Sequence, residues 1–221
     1  MKKRFLSLLL ALSMTLGLSA PTLAADENQA NLGAIDASEM VGILTADDGT
    51  EYVVQGTLVD VNNAVSAFSL GESETALTYK FSIPASVFSG GGSNWESGQD
   101  TNSLTEAFLT VHYSTRAVQE PGVSDMFNEY LLTRITGYWS ENSPNVTVDH
   151  GVLEYRCYMG GDPLAEQQTG TKTVSNFFDV STGFSRYVYS SVAVFGAILT
   201  VHVTMGSRNW TFKVINNPSV G

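Results

Sequence analysis

The chain predicts an all-β protein, an antiparallel sandwich of two sheets with little or no helix after its first segment. Three observations carry that expectation. Apolar and polar residues alternate with period two through most hydrophobic segments, as half-buried strands require. Turn formers such as Asp47-Asp-Gly49, Glu120-Pro-Gly122 and Gly206-Ser-Arg-Asn209 recur between those segments. Strands do not alternate with long helical patterns, which argues against a parallel α/β sheet. A barrel-like closure of the same strands is the variant of this architecture.

The first segment is of another kind. Met1-Lys-Lys-Arg4 is basic, Phe5 to Leu18 is apolar, and Thr22 and Ala24 are the small residues of a cleavage site. Residues 1–24 are therefore expected to be a signal peptide removed after Ala24. The apolar run is shorter than the ~20 residues of a spanning helix. With Cys157 as the single cysteine, no lipid-bearing thiol sits at that point and no intramolecular disulfide can form. The chain is expected to be secreted into the extracellular space by a bacterial route, without a stable membrane anchor. Residues 25–39 lack a sustained apolar period and are expected to be a flexible leader. Residues 40–217 follow as a single β-sandwich domain, with 120–122 as the point where it would divide in two.

Acidic residues number 22 against 11 basic ones, and three of the latter, Lys2, Lys3 and Arg4, lie in the first segment. A surface this acidic repels phosphate backbones and anionic headgroups, so no nucleic-acid partner is expected. A carbohydrate, a cell-surface polymer or a protein remains as the partner class.

In chain order, Met40 to Thr45 and Glu51 to Val61 flank the Asp47-Asp-Gly49 turn as a hairpin. Ala67 to Leu70 and Ala76 to Ile83 are expected to pair about Gly71 to Glu74, until Pro84, lacking an N–H, ends the ladder. Ser89 to Ser103 is a long Gly/Ser/Asn loop holding Trp95. Leu104 to Val118 is a long strand, with Phe108, Thr110, His112 and Ser114 in one phase. Asn128 to Ser140 reads as a strand by its β-branched content, against a helical alternative capped by Ser124. Val146 to Val148 and Val152 to Tyr158 are expected to form a hairpin about Asp149-His-Gly151. Val174 to Val180, Ser185 to Val194 and a closing hairpin complete the chain. In that hairpin Met205 is expected opposite Trp210, Val203 opposite Phe212 and Val201 opposite Val214. A one-residue slip would bury Lys213 and expose Trp210.

Catalytic motifs do not emerge. There is no Gly-x-Ser-x-Gly elbow, no phosphate loop at Gly90, and no calcium-loop spacing around Asp47. His112, His150 and His202 lack a neighbouring histidine at ligand spacing, although Leu109-Thr-Val-His112 recurs as Leu199-Thr-Val-His202. Neither a metal nor a cofactor is expected, and Cys157 is expected buried and inert. Exposed aromatics carry the binding expectation: Trp95 and its neighbour Asn94 in the polar loop, with Tyr138 and Trp139 on a strand. The function expected is a secreted, non-catalytic binding protein. The alternatives are a toxin or bacteriocin-like protein acting at a target envelope, and a hydrolase using carboxylates.

Overall fold

A computed structural model describes residues 40–65, 72–88, 103–119, 126–160, 167–189 and 193–218. Its strands are β1 (Val41–Ala46), β2 (Glu51–Gln55), β3 (Thr57–Val65), β4 (Glu72–Pro84), β5 (Ser103–Gln119), β6 (Met126–Glu141), β7 (Val146–Met159), β8 (Gln168–Val174), β9 (Phe177–Ser181), β10 (Val188–Tyr189), β11 (Ala193–Met205) and β12 (Arg208–Asn216). One short helical turn, Ala85–Phe88, follows Pro84. Among the described residues the strands form two six-stranded antiparallel sheets. Sheet A runs β2-β1-β12-β11-β7-β8, and sheet B runs β10-β6-β5-β4-β3 with β9 also paired to β6.

The two sheets bury their inner faces against each other, and the buried set supplies both layers. Phe81, Leu109, Leu132 and Ile135 come from sheet B, while Leu153, Phe195, Leu199 and Phe212 come from sheet A. Phe195 reaches across to Tyr113 and Tyr130, with ring centroids 5.0 and 5.6 Å away. Offset or tilted ring pairs at such distances add to the area they bury.

Both lateral edges are closed by chain that passes from one sheet to the other. At Gly56 the chain leaves β2 in sheet A and enters β3 in sheet B. A Cβ there would lie 2.7 Å from the Phe81 ring and 2.9 Å from the Met40 carbonyl, so the corner needs glycine. At Ser175-Asn176 the chain leaves β8 for β9, and the Trp139 amide donates to the Asn176 carbonyl at 3.2 Å. The result is a sandwich with barrel-like edges, which leaves few free ladders.

These corners revise two expected strands. Glu51 to Val61 is not one strand, and Val174 to Val180 is not one either, because each is divided where it changes sheet. Ser185 to Val194 differs as well: residues 182–187 are irregular, β10 has two residues, and β11 begins at Ala193. Gln168 satisfies that irregular backbone. Its Oε1 accepts from the Ser185 and Arg186 amides at 3.0 Å, and its Nε2 donates to the Arg186 carbonyl at 2.8 Å. Glu72 to Glu74 lie in β4 rather than in a turn, while 66–71 lie outside the described residues.

The expected hairpin at Asp149-His-Gly151 is instead continuous strand. Val201 pairs with Gly151 and Val203 with Val148, so Asp149 and His150 together face the single residue His202. The turn formers are absorbed as a β-bulge because β11 is long enough to pair with all of β7. Met126–Glu141 is strand throughout, and the helical alternative is set aside.

The closing hairpin forms with a different register. Met205 pairs with Arg208, Val203 with Trp210 and Val201 with Phe212. The loop is the two residues Gly206-Ser207, and the positive φ of Gly206 (62°) suits the first central position of a type II′ turn. The register is displaced by two residues, so every side chain keeps its expected face.

Candidate functional site

Tyr138 and Trp139 are neighbours on β6 and point to opposite sides of sheet B. Trp139 is 3% exposed and belongs to the core, so its ring does not serve a surface site. Tyr138 is 37% exposed on the outer face. Asn94 and Trp95 lie outside the described residues.

The outer phase of β5, β6 and β9 carries an aromatic on each strand. Phe108 shares its phase with Glu106, Thr110 and His112, Tyr138 with Arg134, Thr136 and Ser140, and Phe177 with Asp179 and Ser181. Strand register brings the three into one row. Lys80 pairs with Phe108, Phe108 with Tyr138, and Tyr138 with Phe177. The Phe108 and Tyr138 centroids are 4.4 Å apart with planes 12° from parallel, and Tyr138 and Phe177 are 5.9 Å apart at 17°. Rings that close and that parallel must overlap like tiles, since side-by-side rings cannot approach to 4.4 Å. The Lys80 ammonium stands 5.8 Å from the Phe108 centroid, and Phe177, 77% exposed, ends the row at the sheet edge.

Polar rows border the rings on both sides. On one side Ser82, Glu106 and Ser140 pair across the strands; on the other Thr78, Thr110, Thr136 and Asp179 do so. Glu106 accepts from Ser103 at 2.9 Å and pairs with Lys80 at 2.7 Å. Burial raises the Glu106 pKa, but the bonds from Lys80 and Ser103 outweigh it and hold the group below its ordinary value. Thr78 and Thr110 share a hydroxyl bond of 2.9 Å. Arg134 grips Asp179 through two bonds, Nε to Oδ1 at 2.6 Å and Nη2 to Oδ2, and this holds the Asp179 pKa down. His112 Nε2 lies 3.0 Å from Thr136 Oγ1. Desolvation, followed by the charge of Arg134, lowers the His112 pKa.

His112 and His202 occupy corresponding places but do not meet. Each sits on the outer face of its own sheet, with Leu109 and Val111, or Leu199 and Val201, buried between them. Beside His202, the bulge places His150 Nδ1 2.9 Å from Asp149 Oδ1. Among the described residues, no group of three or more His, Cys, Asp or Glu is placed to hold a metal. Cys157 is buried, and desolvation pushes its thiol up to about 11, far from the thiolate a nucleophile requires at neutral pH.

A separate cleft of about 320 Å³ lies between the tips of the β1–β2 and β11–β12 hairpins, lined in part by Tyr52, Arg208 and Trp210. Its two acids are already engaged. Asp47 Oδ2 accepts from the Asn209 amide at 3.0 Å, and Asp48 Oδ1 from the Thr50 amide at 2.9 Å, so both act as turn and tip ties.

Phe108 and Phe177 are not among the site residues the sequence predicts. The signal for each is an aromatic in the polar phase of an alternating strand, and only the cross-strand register turns those separate positions into a row. Among the described residues no helix is long and apolar enough to cross a membrane, which leaves membrane-crossing strands unaddressed. Comparison with known proteins gives no matching family model, no matching curated protein and no matching solved structure.

Proposed function

We propose that this is a secreted, non-catalytic protein that binds carbohydrate on the outer face of sheet B. The aromatic row bordered on both sides by hydrogen-bonding rows carries the reading. A pyranose ring is amphipathic, with an apolar C–H face and hydroxyls around its rim. Its C–H face suits the Phe177 ring, 77% exposed, and the exposed edge of Tyr138, and its hydroxyls suit Thr110, Thr136, Asp179 and Ser140. A paired carboxylate such as Asp179 still has acceptor capacity, and a threonine hydroxyl bonded once can bond again. A protein partner would need an apolar centre within an interface of about 1,000 Å² or more, whereas here the apolar stripe is one ring wide. Secretion is supported by the leader pattern of residues 1–24.

Phe177→Ala provides the test. At 77% exposure its ring contributes little to the core, and the fold is expected to change by no more than about 0.5 kcal/mol. Retardation in gels containing soluble polysaccharides should fall at least ten-fold for the variant. Equal retardation of the two proteins in every gel would remove this face from the proposed function.

A further inference from the structure

We infer that the ligand is an uncharged glycan chain, several sugar units long, lying across the strands from Phe177 toward Lys80. This rests on the carbohydrate reading and adds to it a charge class, a direction and a length.

The direction follows from the row. Lys80, Phe108, Tyr138 and Phe177 are direct partners on four consecutive strands, β4, β5, β6 and β9. Strands lie about 4.8 Å apart, so the row extends roughly 14 Å. One sugar ring is much shorter than this row of overlapping rings, and the remaining contacts are made only by a longer chain. Affinity should therefore climb with the number of sugar units.

The charge class follows from the pairs beside the rings. Lys80 is matched by Glu106 at 2.7 Å, and Arg134 is matched by Asp179 through two bonds. Each cation is thus already neutralised, and an incoming carboxylate or sulfate would have to break a formed pair. Beyond them stand the exposed acids Asp60 and Glu74, on a chain of net charge −11, which repel a further anion. The same pairs engage the two carboxylates beside the rings, Glu106 and Asp179, so a polycation would likewise have to break a formed pair. The hydroxyls of Thr78, Thr110, Thr136 and Ser140 remain, and these suit neutral sugar hydroxyls.

The experiment is calorimetric titration of the full chain. The probes are cello-, xylo-, manno- and laminari-hexasaccharides, their disaccharides, oligogalacturonate and chitosan oligomers. At least one neutral hexasaccharide should bind, at least ten-fold more tightly than its disaccharide. Its Kd should stay within two-fold between 50 and 500 mM NaCl, as expected of a contact without ion pairing. Phe177→Ala should weaken it ten-fold or more. Tightest binding to a charged oligomer, or a ten-fold loss with salt, would overturn the inference while leaving carbohydrate binding in place. Equal affinity for disaccharide and hexasaccharide would overturn the length and direction. Binding of no saccharide in the set would overturn both the inference and the reading beneath it.

Discussion

Phe195→Ala is expected to lower the free energy of unfolding by about 3–5 kcal/mol, the range for truncating a buried phenylalanine. The side chain is 1% exposed in sheet A and packs against Tyr113 and Tyr130 of sheet B. Alanine would leave a cavity between the two sheets, beside the rings of Tyr113 and Tyr130. A domain's whole stability is commonly about 5–15 kcal/mol, so a change of this size is a large share of it. Urea unfolding of both proteins, followed by tyrosine and tryptophan fluorescence, measures the difference. A loss below about 1 kcal/mol would mean that the contact between the sheets lies elsewhere.

Tyr138→Ala should be the most damaging single change to binding, by about 30-fold or more, the equivalent of a 2 kcal/mol hot spot. Tyr138 is the middle ring. It overlaps Phe108 on one side and Phe177 on the other, so its removal costs its own contact and the support of both neighbours. Tyr138→Phe keeps the ring and should recover most of the affinity. That rescue separates ring contact from a hydroxyl bond, and calorimetry on the wild type and both variants reads it. If alanine binds as well as tyrosine, the row is packing and not a site.

Much of this architecture is legible from alternation, because burial is what alternation encodes. The phase of Arg134, Thr136 and Ser140 sends Tyr138 outward and that of Ile135 sends Trp139 inward, so the two could not share a surface. The phase is harder to follow at Thr133, where a register shift lies between the His112–Arg134 and Tyr113–Leu132 pairs. The Thr133 hydroxyl there donates to the His112 carbonyl at 3.1 Å. Tyr130 and Leu132 point inward before the shift, and Ile135 and Trp139 after it. No single period runs through β6.

Pairing is less legible than phase. A two-residue slip in the closing hairpin leaves every face unchanged, so hydrophobic pattern cannot choose between a four-residue and a two-residue loop. The corners at Gly56 and at Ser175-Asn176 escape for a related reason: both sheets bury alternate residues, and a strand that changes sheet keeps its period. The row of Phe108, Tyr138 and Phe177 depends on this long-range pairing. Its members stand 30 and 39 positions apart in the chain, and no local pattern joins them.

The most direct test of carbohydrate binding on this face is an amide and aromatic NMR titration of the full chain with the tightest-binding neutral hexasaccharide. Shifts should concentrate on Lys80, Phe108, Thr110, Thr136, Tyr138, Phe177 and Asp179, while Trp139 and Phe195 move little. Shifts concentrated at Trp95, or around Tyr52 and Trp210 at the hairpin tips, with the aromatic row unmoved, would contradict carbohydrate binding on this face.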